Sequence, residues 1–201
     1  MRLIMTFAAA LLFALPILPA AVLAGENDAT PPMAERPAFE EGYGFTFTNP
    51  KIGEWTLAYE GKEGDLLVFR NTYKKKSWLW YYTEDLNTVR SKGRPTEVEN
   101  EPHNGGLNFP LSVGKKWTHS FTNTNGRTVA QRTISAEVKA YEQVTVPAGT
   151  FWAYRIEVVN QRAGVPLPAY ETYWYAPEVK NAVKYYSREF EWEYELVKYG
   201  K

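Results

Sequence analysis

The stretch Glu189-Phe190-Glu191-Trp192-Glu193-Tyr194-Glu195-Leu196 decides the fold. Apolar residues take every second position and glutamates take the others. An extended chain therefore carries Phe190, Trp192, Tyr194 and Leu196 on one face and the four glutamates on the other. A helix would scatter both sets around its axis. An alternation this regular predicts a β-sheet with one face on a core and one face in water.

The pattern extends back through the chain. Tyr43, Phe45 and Phe47 alternate with Gly44, Thr46 and Thr48. Glu54 to Glu60 leads through Gly61-Lys62-Glu63-Gly64 into Asp65 to Tyr73, and Lys74-Lys75-Lys76 turns into Ser77 to Thr83. Leu86 to Ser91 and Thr96 to Glu99 are weaker strand signals. After the irregular loop His103-Asn104-Gly105-Gly106, a second series runs over Lys115–Thr122, Arg127–Ala140, Tyr141–Val146, Phe151–Arg162, Ala169–Tyr175, Ala182–Phe190 and Glu191–Tyr199. Glycine- and proline-bearing turns separate the runs at meander spacing. No segment holds a helical period for more than about two turns. The expectation is an all-β domain, 42–201, built as a curved antiparallel sheet in the form of a half-barrel or open barrel.

The first 24 residues read as a cleavable signal peptide. Arg2 precedes an apolar core from Ala8 to Leu18, and Val22-Leu23-Ala24 suits cleavage before Gly25. Leu23-Ala24-Gly25 is the stem of a bacterial lipoprotein signal, but Glu26 stands where the acylated cysteine would be. Residues 25–41, rich in Pro, Ala and Glu, read as a flexible leader. The mature chain is expected to be soluble in the periplasm or outside the cell, meeting the membrane only during export.

Composition narrows the function classes. Cleavage removes one of the 23 basic residues and leaves 22 against 23 acidic ones, a balance that supports no nucleic-acid partner. The chain has no cysteine, so disulfides contribute nothing to its stability. Aromatic residues are abundant, with 14 Tyr, 10 Phe and 7 Trp, and suit half-buried pleated surfaces.

The residues that usually carry chemistry are scarce. His103 and His119 are the two histidines, and the three aspartates are Asp28, Asp65 and Asp85. There is no G-x-S-x-G elbow, no H-E-x-x-H, and Gly114-Lys115 lacks the preceding glycine of a phosphate loop. Glu97, Glu99, Glu101 and His103 alternate, as ligands along a strand would, but such a row is the ordinary pattern of a wet sheet face. A glycosidase pair cannot be singled out among 20 glutamates. No catalytic residue, metal site or cofactor is expected.

Three boxes in the second half carry a resemblance. They are Phe109-Pro110-Leu111-Ser112-Val113-Gly114-Lys115-Lys116-Trp117, Val144-Thr145-Val146-Pro147-Ala148-Gly149-Thr150-Phe151, and Tyr173-Trp174-Tyr175-Ala176-Pro177 followed by Val183-Lys184. In that order and spacing the chain resembles the TapB-like exported bacterial proteins from about Phe109 to Lys201. Asn181-Ala182 departs from the pattern, since family members carry Gly before the Val-Lys pair. The resemblance implies a curved antiparallel sheet, comparable to half-barrel periplasmic lipid carriers, and no known activity.

The aromatic runs supply the candidate site. Trp78, Trp80 and Tyr82 share one strand face, Leu79 and Tyr81 share the other, and Tyr173 and Tyr175 flank Trp174. An exposed aromatic face marks a binding surface. The expected function is a non-enzymatic binding or accessory protein, with Trp78, Trp80, Tyr82, Trp174 and Tyr175 holding an apolar small molecule or a segment of an envelope protein. Carbohydrate stacking on these rings and a structural role in an envelope assembly, through exposed edge strands, are the alternatives.

Overall fold

Alternation this persistent leaves each strand one apolar face to hide, and a meander hides them all by curling until its ends meet. The computed structural model, which describes residues 31–189 and 191–201, shows this closure. Twelve strands run up and down in chain order: β1 Gly44–Asn49, β2 Gly53–Glu63, β3 Leu66–Tyr73, β4 Lys76–Tyr82, β5 Thr88–Lys92, β6 Val98–Glu101, β7 Lys116–Asn125, β8 Thr128–Val146, β9 Gly149–Arg162, β10 Ala169–Ala176, β11 Asn181–Ser187 and β12 Trp192–Gly200. Each pairs antiparallel with its sequence neighbour, and β1 pairs with β12 to close a barrel. The curved antiparallel sheet read from the sequence is present and runs on to closure. The signal peptide lies outside the described residues, as does Phe190.

Tight turns set the registers. Asn125 pairs with Thr128 across Gly126-Arg127, and Gly126 takes φ +59°, the left-handed conformation a two-residue hairpin turn requires. Val146 pairs with Gly149 across Pro147-Ala148, where a proline with no N–H removes nothing from the ladder.

Inward residues form two apolar clusters. One gathers Phe45, Phe47, Leu57, Phe69, Val146, Phe151, Val183 and Leu196. The other gathers Phe109, Leu111, Phe121, Ile134, Val138, Tyr154, Ile156 and Tyr175. Leu86 packs against both. In β12, Leu196 is fully buried while Glu193 stays exposed, as the alternation demands.

The leader reading needs correction over 31–41. Ala34 is 3% exposed and makes a β-bridge with Leu111, its N–H donating to the Leu111 carbonyl at 2.9 Å and its carbonyl accepting at 2.8 Å. Phe39 sits edge-on to Phe69, with ring centroids 5.2 Å apart. Isolated apolar residues in a polar stretch gave no period to detect, yet two of them suffice to dock it. Together with residues 102–115, this segment covers the barrel end at which the β2–β3 and β8–β9 turns lie.

Candidate binding cavity

Twelve strands enclose more space than these side chains fill. A cavity of about 260 Å³ remains inside, walled by Phe47, Trp55, Leu57, Phe69, Trp80, Tyr82, Tyr173 and Tyr194. Asn71, Asn87, Thr88, Asn104 and Asn181 also line it, with Leu86, Leu107 and Ala182.

The aromatic wall is continuous. Tyr173 meets Tyr185 at 4.8 Å between centroids, Tyr185 stacks on Tyr194 at 5.2 Å, and Tyr194 meets Phe47 at 5.0 Å and Trp55 at 5.7 Å. Facing it, Tyr82 stands edge-on to Phe69 at 5.5 Å, with Trp80 at 6.4 Å from Tyr82. Tyr82, Tyr173 and Tyr194 are half-buried, and the surface they keep faces the cavity. Burial pushes all three phenols upward from their ordinary pKa, so they are neutral donors at any physiological pH.

Behind the wall lies one carboxylate. Glu171 accepts from the Tyr173 hydroxyl at 2.9 Å, the Tyr185 hydroxyl at 3.1 Å and Asn160 Nδ2 at 3.0 Å. Asn160 Oδ1 in turn accepts from Arg132 at 3.2 Å. Neutral tyrosines suit this arrangement, because an ionised phenol could not donate to Glu171.

Most polar atoms on the wall are already engaged. Asn87 accepts from the Leu107 N–H and donates to the Leu107 carbonyl, both at 2.8 Å. Asn104 Oδ1 takes the Thr88 N–H at 2.8 Å, and Asn181 Oδ1 takes the Ala182 N–H at 2.7 Å. The bonds of Asn87 and Asn104 fasten loop 102–108 over the cavity, helped by the Trp117 indole N–H, which donates to the Gly105 carbonyl at 2.9 Å. The chemistry left facing the cavity is chiefly aromatic and aliphatic.

The five residues singled out from sequence separate. Trp80 and Tyr82 line the cavity. Trp78 lies beside them, under the guanidinium of Arg94, which is 5.7 Å from its ring and 5.0 Å from that of Trp80. Trp174 and Tyr175 do not line it. The Trp174 indole donates to Glu142 at 2.9 Å with Lys184 over its ring, and Tyr175 is 1% exposed against Phe109. Alternation in β10 is regular, so Trp174 and Tyr175 take opposite faces, and Tyr175, on the same face as Tyr173, is covered by Phe109; the bulge lies on β11, where Val183 has no partner in β10. Tyr81, opposite in parity to Trp80, is buried under Arg90 at 4.4 Å and donates to Glu63 at 3.2 Å, so a charged side chain covers that outer aromatic face.

Sequence reasoning missed Trp55, Tyr173 and Tyr194 as wall residues. Their strands showed the right parity, but parity alone does not say which faces surround an unfilled space.

No family model matches the chain, and no curated relative matches it. Among solved structures, its fold is similar to that of the hypothetical lipoprotein YmcC from Escherichia coli, with TM-score 0.54 and 9% identity over 81% of this chain and 90% of that one. A protein with a YmcC-like fold from Bacteroides fragilis is 15% identical over 84% of this chain and 100% of its own, with TM-score 0.47. What YmcC shares with this chain is the fold.

Proposed function

We propose that this YmcC-like barrel is an exported, non-enzymatic binding protein whose interior receives a small apolar ligand. The observation that carries the reading is the aromatic-walled cavity of about 260 Å³ inside a barrel whose fold is similar to that of the lipoprotein YmcC. Well-formed apolar pockets with few free polar groups are the usual form of small-molecule sites. The volume falls just below the usual range of such pockets, about 300–1,000 Å³, which favours a single small chain over a bulky lipid.

The signal peptide read at 1–24 assigns the work to the cell envelope. Kinship with the TapB-like exported proteins belongs to the same proposal. Its three boxes fall at one end of the barrel: in the loop before β7, at the β8–β9 turn and at the β10–β11 turn, where Phe109 meets Tyr175 at 5.1 Å.

Carbohydrate stacking gains less support, because a sugar needs free donors and acceptors and those of Asn87 are both committed to Leu107. Capture of a partner by an edge strand gains less support, because closure pairs every strand along at least part of its length on both sides and leaves residues 139–146 of β8 paired with β9 alone.

The test is tryptophan fluorescence during titration with 1-decanol and a neutral detergent. Saturable change in the natural protein and its loss in Trp80→Leu are expected. Absence of any response to every apolar probe overturns the reading.

A further inference from the structure

Beside the cavity, against its lining residue Trp80, lies a polar feature that the apolar walls do not explain. Arg94 lies just past β5, half-buried, with its guanidinium resting on Trp78 and Trp80. Among the described residues it forms no ion pair. Two more polar groups at the same place lack protein partners. Among the described residues the buried Trp78 indole N–H has none, and neither does Oδ1 of Asn71, which is 8% exposed, lines the cavity and pairs with Trp78 across β3 and β4.

Charge at this end of the barrel is mixed, but its carboxylates are engaged elsewhere: Glu97 accepts from the Gly93 N–H at 2.9 Å, Glu189 accepts from the Tyr170 N–H, and Glu191 pairs with Lys51 at 3.3 Å. In an up-and-down barrel the ends of β5, β7 and β9 lie at the same rim, so Arg94 shares its rim with Arg162, which is paired in register with the inward Arg132. Neither of those two arginines forms an ion pair among the described residues either. Glu171, the carboxylate of that inner wall, is held by two tyrosines and Asn160. The lid of residues 102–108 covers the opposite end.

We infer that the ligand is a single-chain amphiphile with an anionic headgroup, its chain among Trp80, Tyr82 and Phe69 and its head against Arg94. This rests on the cavity being a ligand site. A guanidinium stays charged and prefers planar or tetrahedral oxyanions, which it can grip with two N–H groups. The Trp78 N–H adds a donor, and the Asn71 amide, turned about its Cβ–Cγ bond, presents its N–H groups to the same position. Half-burial on two indoles strengthens the attraction beyond that of a solvated surface arginine. A cationic head would instead meet Arg94 on the rings it would need to stack on. Carboxylate and phosphate heads share this chemistry.

Four probes with equal chains separate the outcomes: decanoate, decyl phosphate, 1-decanol and decyltrimethylammonium, each titrated by tryptophan fluorescence. The anions are expected to bind about tenfold tighter than decanol, as one charge-assisted hydrogen bond would give, and the ammonium is expected to bind weakest. Arg94→Gln should erase the preference of the site for anions over decanol, and Arg94→Lys should restore part of it. Tighter binding of one anion over the other identifies the head as carboxylate or phosphate. Equal affinity for decanol and both anions overturns this inference and leaves the apolar-ligand reading standing. No binding by any probe overturns both.

Discussion

His103 and His119 stack face to face, their ring centroids 4.3 Å apart and their planes 2° from parallel. His119 Nε2 lies 2.9 Å from the His103 carbonyl, to which it must donate, while His103 Nδ1 accepts the Gly105 N–H at 3.1 Å. The pair therefore fastens the loop that covers the cavity.

Acid should loosen this fastening. Burial and the neighbouring His119 ring hold His103 below its ordinary pKa of 6.5, while Asp85 opposes them; Phe121 packs on the far side of His119 at 6.1 Å. Above that pH both folded and unfolded chains are neutral at His103 and its contribution is complete. As pH falls below it, the unfolded chain takes up the proton first, so stability declines until His103 itself titrates. Urea midpoints are expected to fall between pH 7.5 and pH 5. His103→Asn keeps an acceptor for Gly105 and should flatten that dependence; an unchanged slope would show that carboxylates elsewhere dominate it.

Gly105 is the point at which this loop tolerates no side chain. Its φ is +67°, and a Cβ there would lie 2.6 Å from His119 Cγ and 2.7 Å from His119 Cβ. Gly105→Ala is expected to cost about 1–3 kcal/mol from backbone strain and overpacking, read as a lower melting temperature in calorimetry. Gly114→Ala, also at positive φ but with open space around it, should cost less.

Alkaline titration should divide the tyrosines. Burial raises Tyr82, Tyr173, Tyr185 and Tyr194 above the ordinary phenol value of 10.0. Their contribution to stability is full below that value and is lost as pH rises past it, because the unfolded chain ionises first. Ultraviolet difference absorbance is expected to show exposed tyrosines ionising near pH 10 and a second group ionising only with unfolding. A single transition for all 14 would contradict the burial of this wall.

The alternation of β12 offers a test within one strand. Leu196 is 0% exposed, so Leu196→Ala should destabilise the barrel by about 2–5 kcal/mol. Glu193→Ala, on the wet face, should stay within about 0.5 kcal/mol. Chemical denaturation of the two variants compares the faces directly.

The sequence made the strand faces legible and left their surroundings hidden. Period two placed Trp192, Tyr194 and Leu196 together, and Trp80 with Tyr82, because strand geometry alone dictates it. Closure depends on β1 meeting β12, a pairing that no local pattern encodes. Trp174 and Tyr175 are neighbours in a regular strand and so take opposite faces, and the sequence does not show that Phe109 covers Tyr175. The TapB-like pattern lacks its Gly at Asn181-Ala182, yet the chain still reverses there, with Lys180 adopting φ +66°. Arg94 was not singled out, since a lone arginine in a polar turn shows its value only once two tryptophans are seen beneath it.

The seam between β1 and β12 joins Gly44 to Gly200 and Thr48 to Glu195. The first strand made must therefore wait for the last. Throughout that interval β1 and whichever strand has most recently formed are open to pairing with another chain, a hazard the finished ring does not have. Conditions that slow delivery of the final strand should thus promote aggregation without changing the equilibrium stability of the finished barrel.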